Sequence, residues 1–189
     1  MDLPLVLVLR RDGALVYRIP VWFRIAMGIV FAAVTLSLFY GGHLPGTVGW
    51  IVIAILFLAL IYRETWVFDQ TGGEVRHRFG LLIAARSLTL PFGDIGVFRL
   101  VPWVRGSIPG SAEEKLENRQ TLEASRGRQI PDEPGGKRRP RYRKPFLTLV
   151  LEAPGKSVTI NMVPARRAIA FRAIAEKIAR YCDKPLEEG

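Results

Sequence analysis

Residues 25–62 read IAMGIVFAAVTLSLFYGGHLPGTVGWIVIAILFLALIY, a run of 38 residues without Asp, Glu, Lys or Arg. A single helix of that length would extend about 57 Å, against roughly 30 Å of bilayer hydrocarbon. The run therefore has to fold back. Gly41-Gly42-His43-Leu44-Pro45-Gly46 supplies the break, because two glycines and a proline end one helix and start another. This predicts a first span over 20–40 and a second over 44–62, each close to the roughly 20 residues a crossing needs if Arg24 snorkels to the lipid surface. Trp22 and Trp66 are expected at one interface and Tyr40 and Trp50 at the other, with Tyr62 where the second span leaves the lipid. The alternative is a helical hairpin buried in a soluble core.

Arginines give the orientation. Arg10, Arg11, Arg18 and Arg24 precede the first span, Arg63, Arg76, Arg78 and Arg86 follow the second, and the connecting turn has no Lys or Arg. The positive-inside rule then places both termini in the cytoplasm and only the short turn on the far side, as expected of a multi-pass membrane protein. A cleaved signal peptide is not expected, since the apolar run starts after some twenty residues, is long enough for two crossings and lacks a small-residue cleavage pattern. The whole chain has 189 residues, 49% hydrophobic, with a formal net charge of +10. That apolar content excludes a disordered acidic regulator. One cysteine, Cys182, excludes a disulfide scaffold and should stay reduced in the cytosol.

Outside the hairpin the sequence is that of a small sheet protein. Residues 1–19 are expected to form a β-hairpin around Asp12-Gly13, and the unbroken apolar run 5–9 suggests a strand covered on both faces, by the bilayer surface or a partner. A second hairpin is expected from 65–69, Gln70-Thr71-Gly72-Gly73 and 74–79, followed by strands at 86–92, 96–101, 146–152 and 157–162. Pro164 opens a helix over 165–181, whose Phe171, Ile174, Ile178 and Tyr181 share one face. Residues 63–102 and 145–185 thus make the cytoplasmic domain. The stretch 103–144, rich in Gly, Pro, Ser, Arg and Glu, is expected to be a disordered basic insertion. Within it, Ser111 and Glu114 have the spacing of a capping box for a short helix, with Glu113 and Glu117 on one side.

The segment from Glu64 to Leu82, with Arg78-Phe79-Gly80-Leu81-Leu82, and the following Arg86-Ser-Leu-Thr-Leu-Pro-Phe-Gly-Asp-Ile95 resemble the bacterial pleckstrin-homology-like membrane proteins. The resemblance covers roughly residues 20–101 and, more loosely, 146–182. It implies an antiparallel β-barrel or sandwich capped by a C-terminal helix, within an α+β membrane protein that binds or assembles and has no assigned catalysis. The long insertion and the extra N-terminal hairpin depart from that pattern.

No phosphate loop, nucleophile elbow or zinc-protease helix is present, and Cys182 is expected to pack in the core without a His partner. His43 and His77 fall on opposite sides of the membrane, and His77, between Arg76 and Arg78, reads as a surface or edge residue. No cofactor, metal or enzymatic role is expected. The one feature beyond architecture is Lys137-Arg138-Arg139-Pro140-Arg141-Tyr142-Arg143-Lys144. Its six basic residues suit an anionic lipid surface or an acidic protein partner, or serve only as a solvated linker. Nucleic acid is not an expected partner, because no folded reader motif accompanies the run. In a competing reading the chain is an accessory subunit of a larger membrane complex, held through the hairpin itself at Gly28, Ala32, Thr35 and Ser37.

Overall fold

A computed structural model describes residues 5–40, 46–81, 85–127 and 144–189. The turn 41–45 and the basic residues Lys137, Arg138, Arg139, Arg141 and Arg143 lie outside the described residues. The chain is α+β and divides near Leu90 into two compact units.

The first unit is a five-stranded sheet in the sequential order β1 (Val6–Leu9), β2 (Leu15–Arg18), β3 (Tyr62–Asp69), β4 (Glu74–Leu81), β5 (Ala85–Pro91). β1 and β2 turn through Asp12-Gly13, where Asp12 Oδ1 accepts from the Ala14 N–H at 3.2 Å and Gly13 takes a φ of 84°. β3 and β4 turn through Gly72-Gly73, with Asp69 Oδ1 accepting from the Gly72 N–H at 2.9 Å. Alternation along β2, β3 and β4 puts Leu15, Tyr17, Trp66, Phe68 and Val75 on one buried face. β1 is the edge of the sheet, and Val6, Val8 and Leu9 are exposed.

Between β2 and β3 the chain makes α1 (Val21–Tyr40) and α2 (Thr47–Ile61). They run antiparallel: Gly28 faces Leu60, the rings of Phe31 and Phe57 lie 6.2 Å apart, and those of Phe39 and Trp50 6.0 Å. No residue of either helix is buried. α1 is long and apolar enough to cross a membrane, whereas α2 is a shorter apolar helix of 15 residues. α2 ends before the expected limit because Tyr62 is already extended, at φ −67° and ψ 134°, and starts β3.

The second unit, from Pro91 on, is a four-stranded sheet ordered β8 (Lys156–Pro164), β7 (Lys144–Ala153), β6 (Val97–Arg105), β9 (Leu186–Glu188). β9 is parallel to β6 and was not expected from sequence. Phe98, Leu100 and Val104 of β6 and Leu147, Leu149 and Leu151 of β7 form a buried face. Helix α4 (Ala168–Tyr181) adds Ala168, Phe171, Ala175, Ile178 and Ala179 to the core.

The expected disordered insertion needs correction. β6 runs on to Arg105, and Ala112–Ser125 is a helix, α3, packed on α4, β6 and β7. Its cap is the one read from sequence, with Ser111 Oγ accepting from the Glu114 N–H at 3.1 Å. The face it buries is polar, Glu117, Thr121 and Ser125, and Leu116 is exposed. An apolar-period reading fails on such a helix.

Candidate functional site

At the base of the helical hairpin β2 ends in Arg18, α1 carries Arg24 in its first turn, and β3 begins Tyr62-Arg63. These three cations converge, since Arg24 lies close enough to Arg63 and Arg18 to feel the charge of both. Arg24 Nε is shielded from water and has no hydrogen-bond partner. Trp22, also in the first turn of α1, is exposed, its ring edge-on to Phe23 at 5.9 Å. At the other end of α1 Tyr40 is 92% exposed, and Trp50 near the start of α2 is also exposed. Trp22, Tyr40 and Trp50 are thus free to meet an interface, and Tyr62 is half-buried at the joint.

Trp66 is not free in this way, and its expected interfacial role is corrected. It is wholly buried on the sheet face, because β3 alternation points it the same way as Phe68. Its ring stacks on His77, directly opposite in β4, at 3.6 Å and 6°. His77 also stacks on Phe79 at 4.7 Å, and its Nε2 lies 3.7 Å from Glu64 Oε1, so it is no surface residue. Counting back across the Gly72-Gly73 turn pairs Trp66 with His77 and was the signal that could have revealed the stack.

Of the basic cluster only Lys144 is described. It stands opposite Arg105 at the end of the β6–β7 pair, with Trp103 and Phe146 next along the same face, rings 5.7 Å apart. Lys144, Arg105 and Trp103 are all exposed.

Three charged groups near the C-terminal segment hold structure together. Glu188 of β9 accepts from Arg126, just after α3, and from Arg172 of α4. Burial works to raise the Glu188 carboxyl, but the hydrogen bonds from Arg126 and Arg172 outweigh it and hold it below the ordinary glutamate value. An open groove beside this clasp is lined by Ser125, Arg126, Ile169, Arg172 and Glu176. Its two arginines share Glu188 and are each paired with a second carboxylate, Arg126 with Glu123 and Arg172 with Glu176, so the groove offers little attraction to an anion.

Cys182 packs in the core at 3% exposure, and burial pushes its thiol up to about 12, which keeps it protonated and unreactive. Among the described residues no three His, Cys, Asp or Glu side chains come together as a metal site. No protein-family model matches the chain, and no curated protein matches it in sequence.

Proposed function

We propose that the chain is a noncatalytic, membrane-anchored binding or assembly module. In this reading α1 and α2 cross a bacterial inner membrane as a hairpin, both termini face the cytoplasm, and the sheets form a domain of the pleckstrin-homology-like kind. The polybasic segment 137–144 then engages anionic lipid or an acidic partner. The observation that carries the reading is the hairpin, two apolar helices with no buried residue, inserted between neighbouring strands of a packed sheet. Such a surface is costly in water and at home in lipid. α2 covers only about 22 Å, so the pair would tilt or draw the bilayer thinner around it.

The same topology speaks against a cleaved leader. Cleavage after α1 would remove β1 and β2, and with them the buried Leu15, Val16 and Tyr17 that pair with β3. Washing native membranes with alkaline carbonate tests the proposal. The intact chain, by mass, should remain in the pellet. Release into the wash, or a mature chain that begins beyond α1, would overturn it.

A further inference from the structure

The hairpin emerges beside a face of the first sheet that is opposite the buried one. Register places Arg18 of β2, Thr65 of β3 and Arg78 of β4 directly opposite one another, and Arg63 two residues from Thr65 on the same side of β3. Residues in direct register share a face, and strands lie about 4.8 Å apart. Arg18, Arg63 and Arg78 are all exposed, and Arg24 enters from α1.

No carboxylate among the described residues pairs with any of these four. The acids on this face of β3 and β4 are Asp69 and Glu74, at the far end next to the turn, and both are occupied. Asp69 holds the Gly72 N–H, and Glu74 holds Arg76. β5 carries no acid at all. Arg63 is the diagonal neighbour of both Arg18 and Arg78, within reach of long side chains, so an anion set among the three would relieve their mutual repulsion. A phosphodiester suits guanidinium groups, which pair with its oxygens through N–H donors in one plane, and Thr65 stands in the middle of the row, where its hydroxyl could donate a further hydrogen bond.

From this arrangement we infer that Arg18, Arg63 and Arg78, with Thr65 between them and Arg24 at the root of α1, form a binding site for the headgroup of an anionic phospholipid. The inference rests on the anchoring reading, because an inserted hairpin would bring this row to the depth of the headgroups. It specifies what that reading leaves open, a lipid contact made by the sheet itself and distinct from the basic segment 137–144. A headgroup with no amine, such as phosphatidylglycerol, keeps its full negative charge for the arginines, whereas the choline of phosphatidylcholine is repelled by them.

Native mass spectrometry of the full chain, released from micelles holding equal amounts of phosphatidylglycerol and phosphatidylcholine, tests the site. The expected result is retention of phosphatidylglycerol over phosphatidylcholine by about tenfold. The combined Arg18→Gln, Arg63→Gln and Arg78→Gln variant should bring that ratio near one. Removing charge from the second unit by Arg166→Gln and Arg167→Gln should leave it unchanged. Equal retention of both lipids by the natural chain overturns the site, as does an equal loss in the second-unit variant, which would make the preference a matter of net charge. Soluble glycerol phosphate at the same concentration should leave no adduct, and an adduct as strong as that of the lipid would overturn the assignment to lipid. The carbonate wash is read separately. A chain that leaves the membrane overturns the anchoring, and a chain that stays without headgroup preference overturns this site alone.

Discussion

Leu15→Ala separates an anchored chain from a processed one. Leu15 is 1% exposed on β2, in register with Phe68, while Leu9 directly opposite on the edge strand is 61% exposed. Truncating a fully buried leucine removes its transfer energy and leaves a cavity, together about 3 kcal/mol. In a unit of under roughly 100 residues each kcal/mol moves the midpoint by about 4–8 °C, so the expected fall is roughly 12–24 °C. Leu9→Ala, at the exposed edge, should stay within about 0.5 kcal/mol of the natural chain. The assay is thermal unfolding of the detergent-solubilised full chain, followed by tryptophan fluorescence, to which the wholly buried Trp66 of the same sheet should add a red shift when the sheet opens. A Leu15→Ala midpoint within about 2 °C of the natural one would refute the reasoning. It would mean that β2 is not part of the sheet in the membrane-extracted protein, and the argument against a cleaved leader would fall with it.

Three further outcomes follow from the second unit. Cys182 should resist maleimide at neutral pH in the folded chain and react fully after denaturation, because its thiol is pushed up to about 12 and is buried; rapid labelling of the native protein would contradict its packing. The Glu188 carboxyl lies below its ordinary value of 4.5, so its contribution to stability is complete above that pH and is lost as pH falls through the lower folded value. Acid titration of the melting temperature should therefore show a loss below about pH 4.5 that is reduced in Glu188→Gln, and an unchanged acid profile in that variant would count against the clasp. Ser111→Ala should cost about 1 kcal/mol of stability by removing the hydroxyl that caps α3, checked by urea unfolding against the exposed Ser157→Ala.

Strands flanked by glycine turns were the most legible part of the sequence. Both predicted N-terminal hairpins occur, because Asp12-Gly13 and Gly72-Gly73 each demand a residue at positive φ and fix the register on either side. The apolar helices were legible from composition alone. α3 was only partly legible, through its cap, since what it packs is Glu117, Thr121 and Ser125 and no hydrophobic period records that contact. β9 had no signal of its own. Three residues held by a parallel ladder and by Arg99, which bridges Glu152 and Glu187, form a strand only because β6 is already there to receive them. For the same reason the arginine row could not be read from spacing. Arg18, Arg63 and Arg78 are scattered in sequence, and cross-strand register alone brings them to one face.

The joint between hairpin and sheet explains why those arginines matter together. Only Ile19 and Pro20 separate β2 from α1, and nothing separates α2 from β3, since Tyr62 follows Ile61 directly. β2 and β3 are neighbours in the sheet, so both helices leave from one edge of a single paired ladder, without a flexible linker to absorb their movement. Any tilt that a short α2 imposes in lipid is thereby passed to the sheet. A cation row at that same edge resists the tilt in two ways. Arginine heads seek the level of the phosphates and cannot sink into hydrocarbon without a cost of several kcal/mol, and a phosphate bound at the proposed site would hold Arg18 of β2 and Arg63 of β3 to one point. In the proposed anchored state, the headgroup site and the short joints would together fix the depth and the angle at which the sheet meets the membrane, and with them the faces left open to a partner.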